Sequence, residues 1–135
     1  MKIKIFLADD QYLMLEGIKA ILKHEPEIEI VGTAQDGHSA VTQVIKLQPD
    51  LVLIDIEMPK MNGIEVLENL AAAQADIPVI LMTFHGSEEI AVEVYRLGVR
   101  DYVKKPYTVE EMTFAIDRSL TEVRLRREKE ALTER

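Results

Sequence analysis

The sequence predicts a doubly wound α/β fold, with a parallel five-stranded sheet between two layers of helices. Three observations predict it. Apolar runs of strand length alternate with segments of helical periodicity five times along 135 residues. The links between them are short, which suits β-α units wound in one direction. Charged residues stand at the ends of the apolar runs, where ligands gather in such sheets.

Each element has its own signal. KIKIFLA (2–8) is a strand that runs into Asp9-Asp10. In QYLMLEGIKAILKHE (11–25), Leu15, Ile18, Ile21 and Leu22 recur at helical spacing. EIVGTA (29–34) is a second strand and Asp36-Gly37 a turn; HSAVTQVIKLQ (38–48) is a helix that stops before Pro49. LVLID (51–55) has no polar residue before its aspartate, the mark of a strand buried on both faces. IEVLENLAAA (64–73) is a helix opened by a capping box of Asn62 and Glu65. IPVILMT (77–83) is the fourth strand, and SEEIAVEVYRLG (87–98) a helix capped by Ser87 and ended by Gly98. DYVK (101–104) is a short fifth strand. Thr108 and Glu111 repeat the capping-box pattern, and Val109, Met112, Ile116, Leu120 and Val123 form the apolar stripe of the last helix.

The stripe fades after Val123. Residues 1–123 are expected to form the compact domain, and the charged RLRREKEALTER (124–135) a solvated helical extension. Leu125 and Leu132 at heptad spacing leave a linker and a short coiled coil both open. The chain is long enough for one domain with a real core. It contains no cysteine, which excludes a disulfide framework and thiolate metal sites and points to the cytoplasm. No apolar run approaches the roughly 20 residues of a membrane span. A net charge of −8 argues against direct nucleic-acid binding by this segment, which would need lysine and arginine to neutralise phosphates.

The strand ends carry the chemistry. In the flavodoxin-like strand order 2-1-3-4-5, strands 1 and 3 are neighbours at the point where the winding reverses. Asp9, Asp10 and Asp55 should therefore meet in one crevice, with Thr83 from strand 4 and Lys104-Lys105-Pro106 from strand 5 at the same edge. Clustered carboxylates repel one another and call for a cation. Hard oxygen ligands suit Mg²⁺, completed by a substrate phosphate. Beside such a metal a carboxylate can act as a nucleophile toward phosphorus, with a lysine and a hydroxyl stabilising the phosphoryl oxygens. Taken singly, each residue has a plainer use: Asp9 or Asp55 as a helix cap or turn residue, Thr83 as a strand residue, Tyr102 as half-buried packing. Met58 and Met61 read as loop packing, and His24, His38 and His85 are too scattered for a metal site, although His85 borders the crevice.

Five separated elements match in order: Asp9-Asp10, Asp55 followed by MPKMNG, Thr83, Tyr102 and Lys105-Pro106. With them the chain, from about residue 3 to about residue 122, resembles the receiver domain of bacterial two-component response regulators. The resemblance implies that Asp55 is the phosphoacceptor. Asp10 would bind Mg²⁺ directly and Asp9 through water, with Asp55 and the backbone carbonyl of Glu57 completing the protein ligands. Lys105 would pair with the phosphoryl group, and the bond before Pro106 would be cis. Thr83 would hydrogen-bond a phosphoryl oxygen, and Tyr102 would change rotamer with it. The surface of the fourth helix, fifth strand and fifth helix would then move. The implied donor is a sensor histidine kinase or a phosphotransfer protein. A homodimer through that same surface is a further expectation, with Asp101 and Arg118 as pairing charges. The domain would assist its own modification without being a turnover enzyme on an external substrate.

Two departures bear on the site. Receivers usually carry a small residue after the switch threonine; here it is Phe84, which either narrows the entrance or points elsewhere. Glu57 and His85 occupy positions that in the family influence the lifetime of the phosphoryl group, and Phe84 leads us to expect restricted water access and slow hydrolysis. Two other classes compete. A phosphatase of the haloacid-dehalogenase type also ends a buried strand on a nucleophilic aspartate, but usually needs a second aspartate where Glu57 stands. A docking module that is never phosphorylated would not need the complete set of acids, hydroxyl and lysine.

Overall fold

The computed structural model describes residues 2–84 and 88–133. Its elements run β1 (Ile3–Ala8), α1 (Tyr12–Leu22), β2 (Ile28–Ala34), α2 (Gly37–Leu47), β3 (Leu51–Asp55), α3 (Gly63–Ala72), β4 (Val79–Thr83), α4 (Glu88–Arg96), β5 (Asp101–Lys104) and α5 (Val109–Thr133). The sheet is parallel throughout, in the order β2-β1-β3-β4-β5. This is the flavodoxin-like topology expected from the alternation of elements. Every residue of β3 and β4 is buried, as their unbroken apolar runs require.

Alternation along the strands divides the interior into two cores. Ile5 and Leu7 of β1, Leu51 and Leu53 of β3, Ile80 and Met82 of β4 and Val103 of β5 face one layer, where Leu15 and Ile18 of α1 and Met112, Ile116 and Leu120 of α5 cover them. Phe6, Val52, Ile54, Val79 and Leu81 face the other, against Ala40 and Val44 of α2, Val66 and Leu70 of α3 and Val94 of α4.

Element ends differ from expectation where proline or capping intervenes. Helix α1 stops at Leu22 rather than Glu25, because Pro26 disfavours helical backbone in the residue before it. Strand β4 opens at Val79 rather than Ile77, since Pro78 has no N–H for the ladder; its carbonyl still accepts from the Val52 amide at 3.0 Å. Asp36 is the N-cap of α2 rather than a free turn residue, and its side chain accepts from the Ser39 amide at 2.8 Å. Both predicted capping boxes form, at Asn62/Glu65 and at Thr108/Glu111. The Ser87 cap lies outside the described residues. Val109, counted with the apolar stripe of α5, is exposed. It opens the helix and lines a groove with Phe84, Pro106 and Tyr107 instead of meeting the sheet.

Val123 is the last buried residue of α5, but the helix continues to Thr133. Arg124 pairs with Glu27, Arg126 with Asp76 at 3.7 Å and Arg127 with Asp50 at 2.6 Å. All three acids lie just before strands, so these arginines tie the helix to the edge of the sheet opposite the acidic crevice.

Two glycines seat the loop between β3 and α3. A Cβ at Gly63 would stand 2.6 Å from the Asp55 carbonyl oxygen, and one at Gly37 only 1.8 Å from that of Met61. Helix α3 therefore packs directly on the backbone of Asp55, and the start of α2 on the loop that follows it. Gly63→Ala is expected to lower stability by about 2 kcal/mol, where an unhindered helical Gly→Ala would raise it. Urea midpoints of the two proteins check this.

Candidate functional site

The period-two alternation that separates the cores also sorts the polar residues. Asp9, Asp55 and Lys105 continue the register of Leu7, Leu53 and Val103, so they belong to the α1/α5 side. Thr83 continues Val79 and Leu81 on the other side, where Tyr102 also packs. The parallel ladder brings these ends level. Asp55 pairs with Met82 and Thr83 with Lys104, and the Lys105 amide donates to the Thr83 carbonyl at 2.6 Å. The Lys105–Pro106 peptide is cis.

Asp9, Asp55, Thr83 and Lys105 are all buried. The Lys105 Nζ lies 2.7 Å from Asp9 Oδ2 and 3.5 Å from Asp55 Oδ2. Lys104, the neighbour that competed for this place, is exposed. The remaining oxygen of Asp9, Oδ1, accepts from the Gln11 amide at 2.9 Å, so both of its oxygens are engaged. Asp10 is exposed at the mouth of the crevice. Asp9, Asp10 and Asp55 each offer an oxygen within 4.8 Å of the others.

That donor set fits a hard divalent cation. One buried ammonium stands against three carboxyl groups, with Glu57 as a fourth acid beside them. The imbalance shows in Asp55, whose carboxyl is pushed up to about 8. Burial is the main cause; the hydrogen-bonded Glu57 and the charge of Asp9 add to it, while Lys105 opposes. Burial alone would also raise Glu57, but hydrogen bonds from Asp55, Thr83 and the Phe84 backbone outweigh it and hold that carboxyl below its ordinary value.

Phe84 does not point away. Its ring is exposed at the crevice and lies over the Lys105 ammonium, 5.1 Å from Nζ to the ring centroid. The Tyr102 hydroxyl is buried, and desolvation followed by the charge of Glu57 raises its pKa. His85 lies outside the described residues. Asp101 and Arg118 face each other within the chain at 3.8 Å. Two features were not read from the sequence. Tyr107 is half-buried close to Asp9, and burial with that negative charge pushes its hydroxyl up to about 12. The Glu57 side chain, expected to bear on the lifetime of the phosphoryl group but not to touch Thr83, accepts from the Thr83 hydroxyl at 2.5 Å. Its signal in the sequence was a second acid two residues past Asp55.

A carboxyl raised in the folded state keeps its proton where the unfolded chain, with a pKa of about 3.9, has lost it. Its contribution to stability is full below about pH 4 and is lost as pH rises to about 8. In chelator, the stability of Asp55→Asn relative to the natural chain is therefore expected to increase steadily from pH 5 to pH 8, read as the difference in urea midpoints. A constant difference would contradict the raised pKa.

Residues 5–117 match the family model for the response regulator receiver domain. The chain is 37% identical over 115 residues to the transcriptional regulatory protein DegU of Brevibacillus brevis, covering 85% of this chain and 49% of that protein. It is 38% identical over 127 residues to a protein-glutamate methylesterase/protein-glutamine glutaminase of Hydrogenovibrio crunogenus, covering 88% of this chain and 33% of that protein. The chain thus spans half or less of the length of these curated relatives. Among solved structures, the response regulator domain of Thermotoga maritima CheB superposes with a TM-score of 0.78 at 32% identity, covering 93% of this chain and 96% of that one. A chain of the CheX–CheY–BeF3–Mg²⁺ complex of Borrelia burgdorferi gives 0.80 at 26% identity, covering 84% and 86%. A parallel sheet wound 2-1-3-4-5, a buried lysine among strand-end aspartates and a family match over nearly the whole compact part lead to one conclusion: the chain belongs to the receiver domains of two-component response regulators.

Proposed function

We propose that Asp55 accepts a phosphoryl group and that its modification switches the surface formed by α4, β5 and α5. The observation that carries this reading is the buried Lys105 ammonium, 2.7 Å from Asp9 and 3.5 Å from Asp55, at the reversal point of the sheet. A structural ion pair alone would not require a second and a third carboxylate beside it. In the transfer, an Asp55 oxygen bonds to phosphorus as the bond from phosphorus to the donor's leaving atom breaks. That atom keeps the electron pair. Asp10, Asp55, the Glu57 carbonyl and, through water, Asp9 would hold Mg²⁺, which would supply positive charge that favours ionised Asp55. Lys105 balances charge on the phosphoryl oxygens, and the Thr83 hydroxyl donates to one of them.

Phe84 covers the entrance over Lys105, so water reaches the phosphorus poorly and the acyl phosphate is long-lived. The donor is a sensor histidine kinase or a phosphotransfer protein. The domain takes part in transfer without turning over an external substrate, and it works in the cytoplasm. Added charge at the crevice biases Thr83 and Tyr102 between two arrangements. The α4-β5-α5 face carries exposed Val92, Tyr95 and Phe114, which suits an output partner or a second copy of the chain. Among the described residues no helix is long and apolar enough to cross a membrane.

Incubation with Mg²⁺ and a small acyl phosphate is expected to add one phosphoryl mass to the intact chain. Asp55→Asn, or omission of the metal, should abolish it; an adduct that survives in the variant would rule out Asp55 as acceptor. Once phosphorylated, Phe84→Ala is expected to lose the group severalfold faster than the natural chain, followed by the same mass measurement over time. An unchanged rate would remove Phe84 as the shield.

A further inference from the structure

Glu57 bridges the two sides of the site. Asp55, Asp9 and Lys105 belong to the register of the α1/α5 core, Thr83 and Tyr102 to that of the opposite core. The Glu57 amide donates to Asp55 Oδ1 at 3.3 Å, and its Oε1 accepts from the Thr83 hydroxyl at 2.5 Å. The Phe84 backbone amide also faces this carboxylate and favours its charge. A hydroxyl and a backbone N–H beside the nucleophile are the donors an oxygen on a phosphorylated Asp55 would meet. Glu57 therefore presents two anionic oxygens where a phosphoryl group would present its own.

The fit is incomplete in an informative way. Once Asp55 is ionised, Glu57 Oε2 is buried without a hydrogen-bond donor among the described residues. An unsatisfied buried carboxylate oxygen costs free energy, so this arrangement yields to a ligand that satisfies the same donors better. The loop that carries Glu57 is not free to carry the whole side chain away, because its backbone is seated against Gly63 and Gly37. Displacement must come from rotation of the Glu57 side chain. The buried Tyr102 hydroxyl lies close enough to Glu57 to sense its charge.

We propose that Glu57 is an internal stand-in for the phosphoryl group, a positioning residue that holds Thr83 toward the site in the unmodified chain and is displaced when Asp55 is modified. The proposal rests on the phosphoacceptor reading. It adds that modification exchanges one acceptor on Thr83 for another, and that the phosphoryl group competes with a residue of the chain itself. Tyr102 is accordingly held near its buried position before modification.

The test uses beryllofluoride with Mg²⁺ as the phosphoryl analogue and the NMR signal of fluorine-labelled Tyr102 as the second readout. Glu57→Met removes the acceptor but keeps the length, Glu57→Asp keeps the charge but falls a methylene short of Thr83, and Glu57→Gln keeps an acceptor carbonyl. Glu57→Met and Glu57→Asp are expected to bind the analogue about tenfold more tightly than the natural chain. Both should shift the Tyr102 signal in the unmodified protein, and Glu57→Gln should restore it. If Glu57→Met changes neither affinity nor signal, the proposal is overturned. If Glu57→Asp binds like the natural chain while Glu57→Gln and Glu57→Met both gain, simple charge repulsion accounts for the effect and the proposal is again overturned. Failure of all four proteins to bind the analogue or form an Asp55 adduct would sink the phosphoacceptor reading instead. The Tyr102 comparison in unmodified protein would still decide whether Glu57 positions Thr83.

Discussion

The buried pair between Lys105 and Asp9 is the interaction on which the rest of the site depends. Taking an ammonium out of water is costly, and it is tolerated where carboxylates surround it at short range. The converse holds for the acids. Asp9 and Asp55 lie at the buried ends of adjacent strands, and without Lys105 their repulsion would have no fixed counter-charge. Lys105 balances only part of it, which is why the Asp55 carboxyl stays high and why the crevice suits a further cation. The strand ends are thus built to a charge deficit. Removing Lys105 would leave Asp9 and Asp55 buried without their counter-charge.

The parallel sheet turns this into a directed arrangement. Alternation puts the groups that handle charge on one side of the sheet and Thr83 and Tyr102 on the other. On the proposed phosphoacceptor reading, a signal made at Asp55 must cross between the two sides, and among the described residues Glu57 with Thr83 is a contact that crosses. The close seating of α3 on Asp55 at Gly63 keeps the loop backbone in place, so change is confined to side chains. In the proposed switch the Thr83 hydroxyl would exchange one acceptor for another beside the buried Tyr102 hydroxyl, a change that a single added charge can bias.

The opposite edge of the sheet is organised by another set of charges. Arg124, Arg126 and Arg127 reach acids that precede β2, β4 and β3, while Arg100 joins Glu122 to Asp76. Each such pair is partly exposed and weak alone. Together they set the direction in which α5 leaves the domain. The exposed Leu125 and Leu132 on that helix belong to neither core among the described residues.

Most of the fold was legible in the sequence because it rests on local periodicity. The unbroken LVLI before Asp55 marks a doubly buried strand, the capping boxes at Asn62 and Thr108 mark helix starts, and alternation of elements leads to the strand order. That order by itself brings Asp9, Asp10 and Asp55 to one edge, and Pro106 favoured Lys105 over Lys104 there. The misread ends turned on local backbone chemistry: Pro26 restricts the residue before it, Pro78 lacks an N–H for the ladder, and the Asp36 side chain accepts from the Ser39 amide. Tertiary structure alone decided that Lys105 lies nearer Asp9 than Asp55, that Phe84 lies over the ammonium, that Val109 leaves its apolar stripe, and that the Glu57 side chain takes the Thr83 hydroxyl. These are distances between side chains far apart in sequence. Periodicity places a residue on a face, but only packing in three dimensions decides which of several neighbouring charges it will meet.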